Sequence, residues 1–431
     1  MTDRPNRLLL DLPLAVQAAL IAGARDHERV RGLTHGYYKY PARFSPSFAR
    51  AAIETFTQPA DLVLDNHVGG GTTLVEALAL GRHAIGVDIS SLAGFVAGVK
   101  TTVFDQTEIS CIEAWARRLA SKINMHKASS QFVNYADLGY YKHLNHPSRW
   151  RLRKAIDQSL ESVLRLESPR LESFGRCVVL RTAQWALDGR KNLPSLDDFR
   201  EMLTENAREM ISGARQLSTV VKGYPQLPTV RILNRSAAGL EHDNNLADSR
   251  PPRLVVTSPP YPGVHVLYHR WQVDGRKEAP LPFMIANKLD GAGSSYYTMG
   301  DRKYPNLTTY FDSIRASMSS IAALADKETT IVQMVAFSDI SWQLERYLNT
   351  MEQAGLSEVF LPMLQGEGDG RLWRTVPGRR WYTHQRVEAP GSQEVVLIHR
   401  KKKDLILSQL PARQTFRRPT NPRVRVTSEK A

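Results

Sequence analysis

Leu62-Val63-Leu64-Asp65-Asn66-His67-Val68-Gly69-Gly70-Gly71-Thr72-Thr73 is the stretch that decides the fold. Its apolar run ending in an acid reads as a buried strand, its glycines as a turn, and the apolar spacing of Leu74, Ala77 and Leu78 as the start of a helix. Glycines let a backbone approach a ligand closely and adopt positive φ, and the free N–H groups of a helix N-terminus face whatever is bound there. Gly81 then reads as a helix C-cap, and a second strand, His83-Ala84-Ile85-Gly86-Val87, ends in Asp88. An acid at the tip of the second strand of such a unit is where a ribose diol is gripped. The expected ligand carries a nucleoside.

Two nucleotide classes are excluded by what the turn lacks. Thr72 and Thr73 stand where a phosphate-binding loop needs Gly-Lys-Ser/Thr, so the turn cannot cradle a triphosphate. The glycine spacing also departs from the dinucleotide pattern G-x-G-x-x-G. A nucleoside without a phosphate chain remains, and S-adenosylmethionine fits.

A second informative stretch lies downstream. Leu254-Val255-Val256 runs into Thr257-Ser258-Pro259-Pro260-Tyr261. The two prolines lack an N–H and fix φ near −65°, which stops a sheet ladder and leaves the carbonyls of Ser258 and Pro259 as acceptors. A small hydroxyl, free carbonyls and an aromatic ring at the end of a buried strand suit a flat base held by its amino group. Taken alone, the same tetrapeptide also reads as an ordinary Pro-Pro turn.

Together these stretches resemble the amino-methyltransferases that methylate exocyclic amines of DNA bases. In that family a motif of the form Asp/Asn/Ser-Pro-Pro-aromatic is catalytic, and Ser258-Pro259-Pro260-Tyr261 matches it in the serine version usual among N4-cytosine enzymes. Asp65, Gly69, Gly71 and Thr72 match the cofactor turn, and Asp88 matches the ribose-binding acid. Tyr40-Pro41-Ala42-Arg43-Phe44-Ser45-Pro46 is similar to the element that packs on the methionine end of the cofactor, which makes Phe44 a further cofactor-site residue. Where the family usually has an aromatic residue two places after the strand acid, this chain has His67, whose smaller and polar ring can still lie flat on the cofactor. Where many relatives have an acid that contacts adenine, Asn234, Arg235 and Ser236 occupy the turn after residues 230–233.

The resemblance implies a DNA methyltransferase moving a methyl group from S-adenosylmethionine to the exocyclic amine of a flipped base, with cytosine N4 as the expected target. The amine lone pair is delocalised into the ring, so acceptors on its N–H bonds are needed to localise it. Those roles fall to the Ser258 side chain and the Pro259 carbonyl, with Tyr261 stacking on the base; alignment supplies much of the rate effect. Inside a duplex the amine is hidden, so the base must be flipped. Methylation at cytosine carbon 5 needs a cysteine nucleophile, and neither Cys111 nor Cys177 stands near these motifs. N6-adenine methylation, methylation of an RNA base amine, and a non-catalytic nucleic-acid-binding module are the alternative readings. A separate nuclease or defence partner, as in restriction-modification, is left open.

Composition agrees. A length of 431 residues with 42% hydrophobic content supports a large core and more than one typical domain. Two cysteines make neither a disulfide framework nor a cysteine metal site, no metal is expected, and a reducing cytoplasmic setting follows. No apolar run reaches membrane length, and no signal-peptide pattern opens the chain. The net charge of +14 suggests a polyanionic partner, double-stranded DNA. Half of that charge sits in residues 401–431, with nine basic residues against two acids and Pro411, Pro419 and Pro422 interspersed, so this reads as a flexible basic tail. A second basic cluster, residues 140–154, mixes Tyr140, Tyr141 and Trp150 with five cations and no acid, and phosphate contact is expected there.

The expected fold is α/β: a doubly wound, mostly parallel, Rossmann-like sheet of the class I methyltransferase type with a helical insertion. Residues 1–104 form the N-terminal and cofactor-binding half, 105–227 the insertion and candidate target-recognition region, 228–400 the catalytic half, and 401–431 the tail. Apolar spacing of three and four predicts helices over 111–123, 154–166, 175–187, 196–217, 310–325 and 340–354. Strands are expected at 229–233, 254–257, 330–337, 357–361 and 394–399. The long connection 262–309, with Tyr268, His269, Arg270, Trp271, Tyr296 and Tyr297, reads as a loop that closes over a base.

Overall fold

The computed structural model describes residues 7–26, 28, 30–39, 45–127, 137–144, 149–263, 270–273, 277–290, 297, 299–300, 306–375 and 393–402. Phe44, Tyr268, His269, Tyr296 and the basic tail beyond residue 402 lie outside the described residues.

Ten strands are described: β1 (Leu62–Asp65), β2 (His83–Asp88), β3 (Val230–Asn234), β4 (Leu254–Thr257), β5 (Trp271–Val273), β6 (Lys277–Ala279), β7 (Thr330–Ala336), β8 (Leu356–Val359), β9 (Leu372–Thr375) and β10 (Gln393–Lys401). Eight form one sheet in the order β3-β2-β1-β4-β7-β10-β8, with β9 paired to β10. From β3 to β7 neighbouring strands are parallel, while β10 runs antiparallel to β7, β8 and β9. The sheet is thus mixed but mostly parallel.

Strands β1, β4 and β7 are buried along their whole length, as their mostly apolar sequences suit strands covered on both faces. Successive side chains divide between the faces. Val63, Val256 and Val332 pack with Leu20 of helix α1 (Leu14–Arg25), Phe48 and Ile53 of α2 (Pro46–Phe56), and Leu74 and Ala77 of α3 (Thr72–Ala79). Leu64, Val255 and Ile331 pack on the other side with Ile314, Met318, Leu344 and Met351, from the helices Thr308–Leu324 and Ile340–Gln353. Local signals fix the helix starts. Ser45 accepts the Phe48 N–H ahead of Pro46 at the first position of α2, and Ser90 accepts the Ala93 N–H at the start of α4 (Ser91–Lys100).

The helices expected between residues 105 and 227 are present as Gln106–Leu119, Trp150–Val163, Pro169–Leu187 and Leu196–Lys222. Asp105 with Glu108 and Ser195 with Asp198 make reciprocal capping boxes at two of their starts. Ile112, Leu160, Phe174, Val178, Leu203 and Met210 share one core with Leu92 and Val96 of α4, so these helices pack directly against α4.

One expectation is corrected here. Trp271 does not belong to a loop facing a base: it is 2% exposed, its Nε1 donates to the Tyr38 hydroxyl at 2.9 Å, and it sits in the helical core. The period-2 pattern Trp271, Gln272, Val273 puts the apolar residues inward, and β5 pairs with β6 as a hairpin. Among the described residues no helix is long and apolar enough to cross a membrane.

Candidate active site

Strand β1 is flanked by β2 on one side and by β4 on the other, so the winding of the sheet reverses between β1 and β4. At such a reversal the connections leave in opposite directions, and a crevice opens beyond the carboxyl ends of the strands. A cavity of about 560 Å³ lies there, lined by Asn66, His67 and Gly69 after β1, Asp88 and Ile89 at the end of β2, Arg235 and Ser236 after β3, and Ser258 and Pro260 after β4. The Thr308–Leu324 helix adds Asp312, Ser313, Ala316 and Ser317, and the long connection adds Tyr297 and Met299.

The turn after β1 is held by buried polar contacts. The Asp65 carboxylate accepts the Thr73 hydroxyl at 2.7 Å and the His67 N–H at 3.1 Å, and burial pushes its pKa up to about 6. Fully buried Lys100 donates from Nζ to the Gly70 carbonyl at 2.7 Å. Gly71 caps α3 with φ +76°, and a Cβ there would lie 3.0 Å from the Cα and Cβ of Ala97. Asp65, Gly71 and Thr72 therefore stand behind the cavity wall and shape it. Gly69, by contrast, lines the cavity, and its N–H donates to Asp88 Oδ2 at 2.8 Å. The Ser90 N–H donates to Oδ1, also at 2.8 Å, while burial raises the Asp88 pKa to about 6.

The turn after β4 is fixed through side chains. The Ser258 hydroxyl donates to the Tyr261 hydroxyl at 3.2 Å, which donates to Glu394 Oε1 at 2.6 Å, and Arg374 Nε donates to Glu394 Oε2 at 2.8 Å. Tyr310 donates to the Pro260 carbonyl at 2.8 Å. With its proton directed at Tyr261, Ser258 keeps its lone pairs as acceptors on the cavity wall. Tyr261 itself is 5% exposed in the core beneath the sheet and does not line the cavity, so the stacking surface expected of it is not on the wall. Pro259 is likewise absent from the lining residues.

In the turn after β3, Arg235 staples its own loop through Asp243 at 2.5 Å and the carbonyls of Ala238 and Gly239, and Asn234 donates to the Asp88 carbonyl at 2.8 Å. Sequence reasoning missed Asn66, Ser313 and Ser317. Asn66 donates from Nδ2 to the Ser317 hydroxyl at 3.1 Å. The available signal was the spacing of Asp312, Ser313 and Ser317, polar residues that share one side of the helix, Ser317 following the other two by five and four positions.

His67 is set apart electrostatically. Its Nδ1 lies 3.2 Å from Thr257 Oγ1, its Nε2 is buried without a hydrogen-bond partner among the described residues, and burial pushes its pKa down to about 3. The ring is neutral across the physiological range.

Residues 21–93, from α1 into the start of α4, match the DNA methylase family model N6_N4_Mtase. The Type II methyltransferase M.MjaII of Methanocaldococcus jannaschii is 26% identical over 112 residues, 26% of this chain and 21% of that protein. The Type II methyltransferase M.MvaI of Kocuria varians is 37% identical over 81 residues, 18% of each chain. The matches thus span about a fifth of the length of these curated relatives. Among solved structures, the rRNA methyltransferase aviRa from Streptomyces viridochromogenes aligns over 87% of this chain and 96% of its own, at 12% identity and a TM-score of 0.31, too low to bear on fold or substrate.

Proposed function

We propose, from the match of residues 21–93 to the DNA methylase family model, that this chain transfers a methyl group from S-adenosylmethionine to the exocyclic amine of a flipped DNA base, cytosine N4 in the first instance. The observation that carries the reading is that one cavity joins Asp88 and Gly69 to Ser258 and Pro260 across the reversal of the sheet. A nucleoside-bearing donor and a base amine both have a place in it.

The residues fit that donor. Each Asp88 oxygen accepts one backbone N–H and keeps a further lone pair for a ribose hydroxyl, and Ile89 and Ala237 offer apolar wall beside it. When bound, S-adenosylmethionine supplies a methyl carbon on a positively charged sulfur. The chain's own work is to hold the amine. Ser258, on the cavity wall, accepts one N–H through its side chain, which concentrates the lone pair on nitrogen, while Pro259 stands off the wall and is not assigned the second N–H. Tyr261 and Glu394 hold the serine in that orientation, a positioning role in place of stacking. Water exclusion and alignment then supply the rate.

Mass spectrometry of hydrolysed DNA from cells expressing the wild type and Ser258→Ala tests this. N4-methylcytosine present with the wild type and lost with the variant is the expected result. N6-methyladenine instead would move the target to adenine on the same scaffold. Neither mark in DNA would overturn the reading and send the search to RNA.

A further inference from the structure

We propose that His67 takes up the proton that the base amine sheds on methylation, with its ring set for this by Thr257 and Asp65. The inference rests on the function proposed above. It starts from an orphan: Nε2 of His67 is buried with no hydrogen-bond partner among the described residues, in a ring that lines the cavity. Buried polar atoms are nearly always paired, so one left alone on a cavity wall calls for a partner that arrives with the ligand.

The other ring nitrogen decides which form the ring takes. Nδ1 faces Thr257 Oγ1 at 3.2 Å, and the nearby Thr257 hydroxyl favours the ionised form of the Asp65 carboxylate. A hydroxyl has one proton, and an ionised carboxylate can only accept. Thr257 therefore gives its proton to Asp65 and accepts the proton on Nδ1, so that Nε2 carries the lone pair.

Position follows from the sheet. His67 Nδ1 lies 3.2 Å from the side chain of Thr257, the residue that precedes Ser258, and both His67 and Ser258 line the cavity. The other charged groups on the wall are committed elsewhere. Asp88 receives the Gly69 and Ser90 N–H groups, Asp312 pairs with Arg315, and Arg235 has only donors to offer.

The chemistry needs such a group. As the amine nitrogen bonds to the methyl carbon, the carbon–sulfur bond breaks with its electron pair passing to sulfur, and the nitrogen is left positively charged with one proton too many. A serine hydroxyl can orient an N–H bond but is too weakly basic to keep a proton. Nε2 accepts it, and the resulting imidazolium still directs Nδ1–H through Thr257 to the Asp65 carboxylate. The proton then passes to water and the amine leaves neutral. A ring made weakly basic by burial cannot deprotonate a neutral amine, but a nitrogen that has just been methylated is far more acidic.

Three variants and one spectrum test this. His67→Phe keeps a flat ring without nitrogen, and His67→Gln keeps an acceptor that cannot take up a proton. Whatever either change does to cofactor affinity, single-turnover methyl transfer at saturating S-adenosylmethionine should fall about 100-fold in both. Added imidazole should restore part of the rate of His67→Ala. In 15N spectra of histidine-labelled protein, the resonance missing from His67→Phe should show Nδ1 protonated and Nε2 bare. Active wild type with either His67→Phe or His67→Gln at full rate, or a ring protonated on Nε2, overturns this inference alone. Wild type inactive on every DNA and RNA overturns it together with the proposed function.

Discussion

The Tyr261 hydroxyl donates to Glu394 Oε1 at 2.6 Å, tying the turn after β4 to the reversed strand β10. Glu394 is in turn locked by Arg374, itself buried, so the orientation of Ser258 depends on two residues more than a hundred positions away in sequence. Tyr261→Phe leaves the ring in the core and removes the hydroxyl that links Ser258 to Glu394. Methyl transfer should drop about tenfold at unchanged cofactor affinity, with a stability loss of about 1–2 kcal/mol measured by denaturant unfolding. An unchanged transfer rate would remove Tyr261 from any positioning role.

Asp88→Ala should weaken S-adenosylmethionine binding about 10- to 100-fold, because it removes the diol acceptor and leaves the Gly69 and Ser90 N–H groups unpaired. Calorimetric titration reads this directly, and an affinity equal to wild type would take Asp88 out of the cofactor site.

Gly71→Val acts by a different route. Positive φ is strained for a β-branched residue, and the new side chain would press on Ala97 of α4. The variant should lose about 2–4 kcal/mol of stability, with cofactor affinity falling only as far as the turn is displaced. A variant that melts like wild type would show that α3 and α4 can separate at no cost.

His399 gives a pH signature away from the site. It is buried in β10 with Nδ1 facing Gln333 Nε2 at 3.3 Å, and burial, aided by Arg371, pushes its pKa down to about 3. The folded state therefore resists a proton that the unfolded chain accepts near the ordinary histidine value of about 6.5, so stability is lost as pH falls from about 6.5 toward 3. Replacing His399 with Leu removes that loss. The stability difference between wild type and His399→Leu should shift by about 2–3 kcal/mol in favour of the variant between pH 7 and pH 4. A difference that stays constant over this range would mean that the ring titrates freely.

The basic face of the insertion should hold phosphates without reading bases. Trp150 is 42% exposed, with Arg151 5.6 Å and Lys154 6.0 Å from its ring centre. Charge reversal of Arg151 and Lys154 to Glu should lower affinity similarly for cognate and random duplexes and flatten the salt dependence by about two phosphate contacts. Binding with an unchanged salt slope would make this face a solvated helix surface only.

The sequence by itself determined the elements and their kind. Apolar runs at 62–64 and 254–256, and a run at 330–337 broken by Gln333, read as buried strands, and the turns at Gly69 to Gly71 and at Pro259-Pro260 announced themselves through residues whose backbone options are few. Such signals are local, carried by neighbours in the chain. The cavity residues Asp88, His67, Gly69 and Ser258 were legible for the same reason: each sits at the end of its strand, and strand ends meet at the reversal of the sheet.

Only the tertiary structure decided which of those residues face the cavity and which stand behind it. Gly71 and Asp65 have the right sequence context but spend their contacts on Ala97, Thr73 and the His67 backbone. Tyr261 and Trp271 look like stacking rings in sequence, yet each has a hydroxyl or indole partner, Glu394 or Tyr38, contributed by a distant segment, and burial follows the partner. The antiparallel course of β10 and the place of Ser317 opposite Asn66 are likewise products of long-range packing. Periodicity reports whether a residue points inward, whereas the group it meets there is set by the elements the fold brings against it.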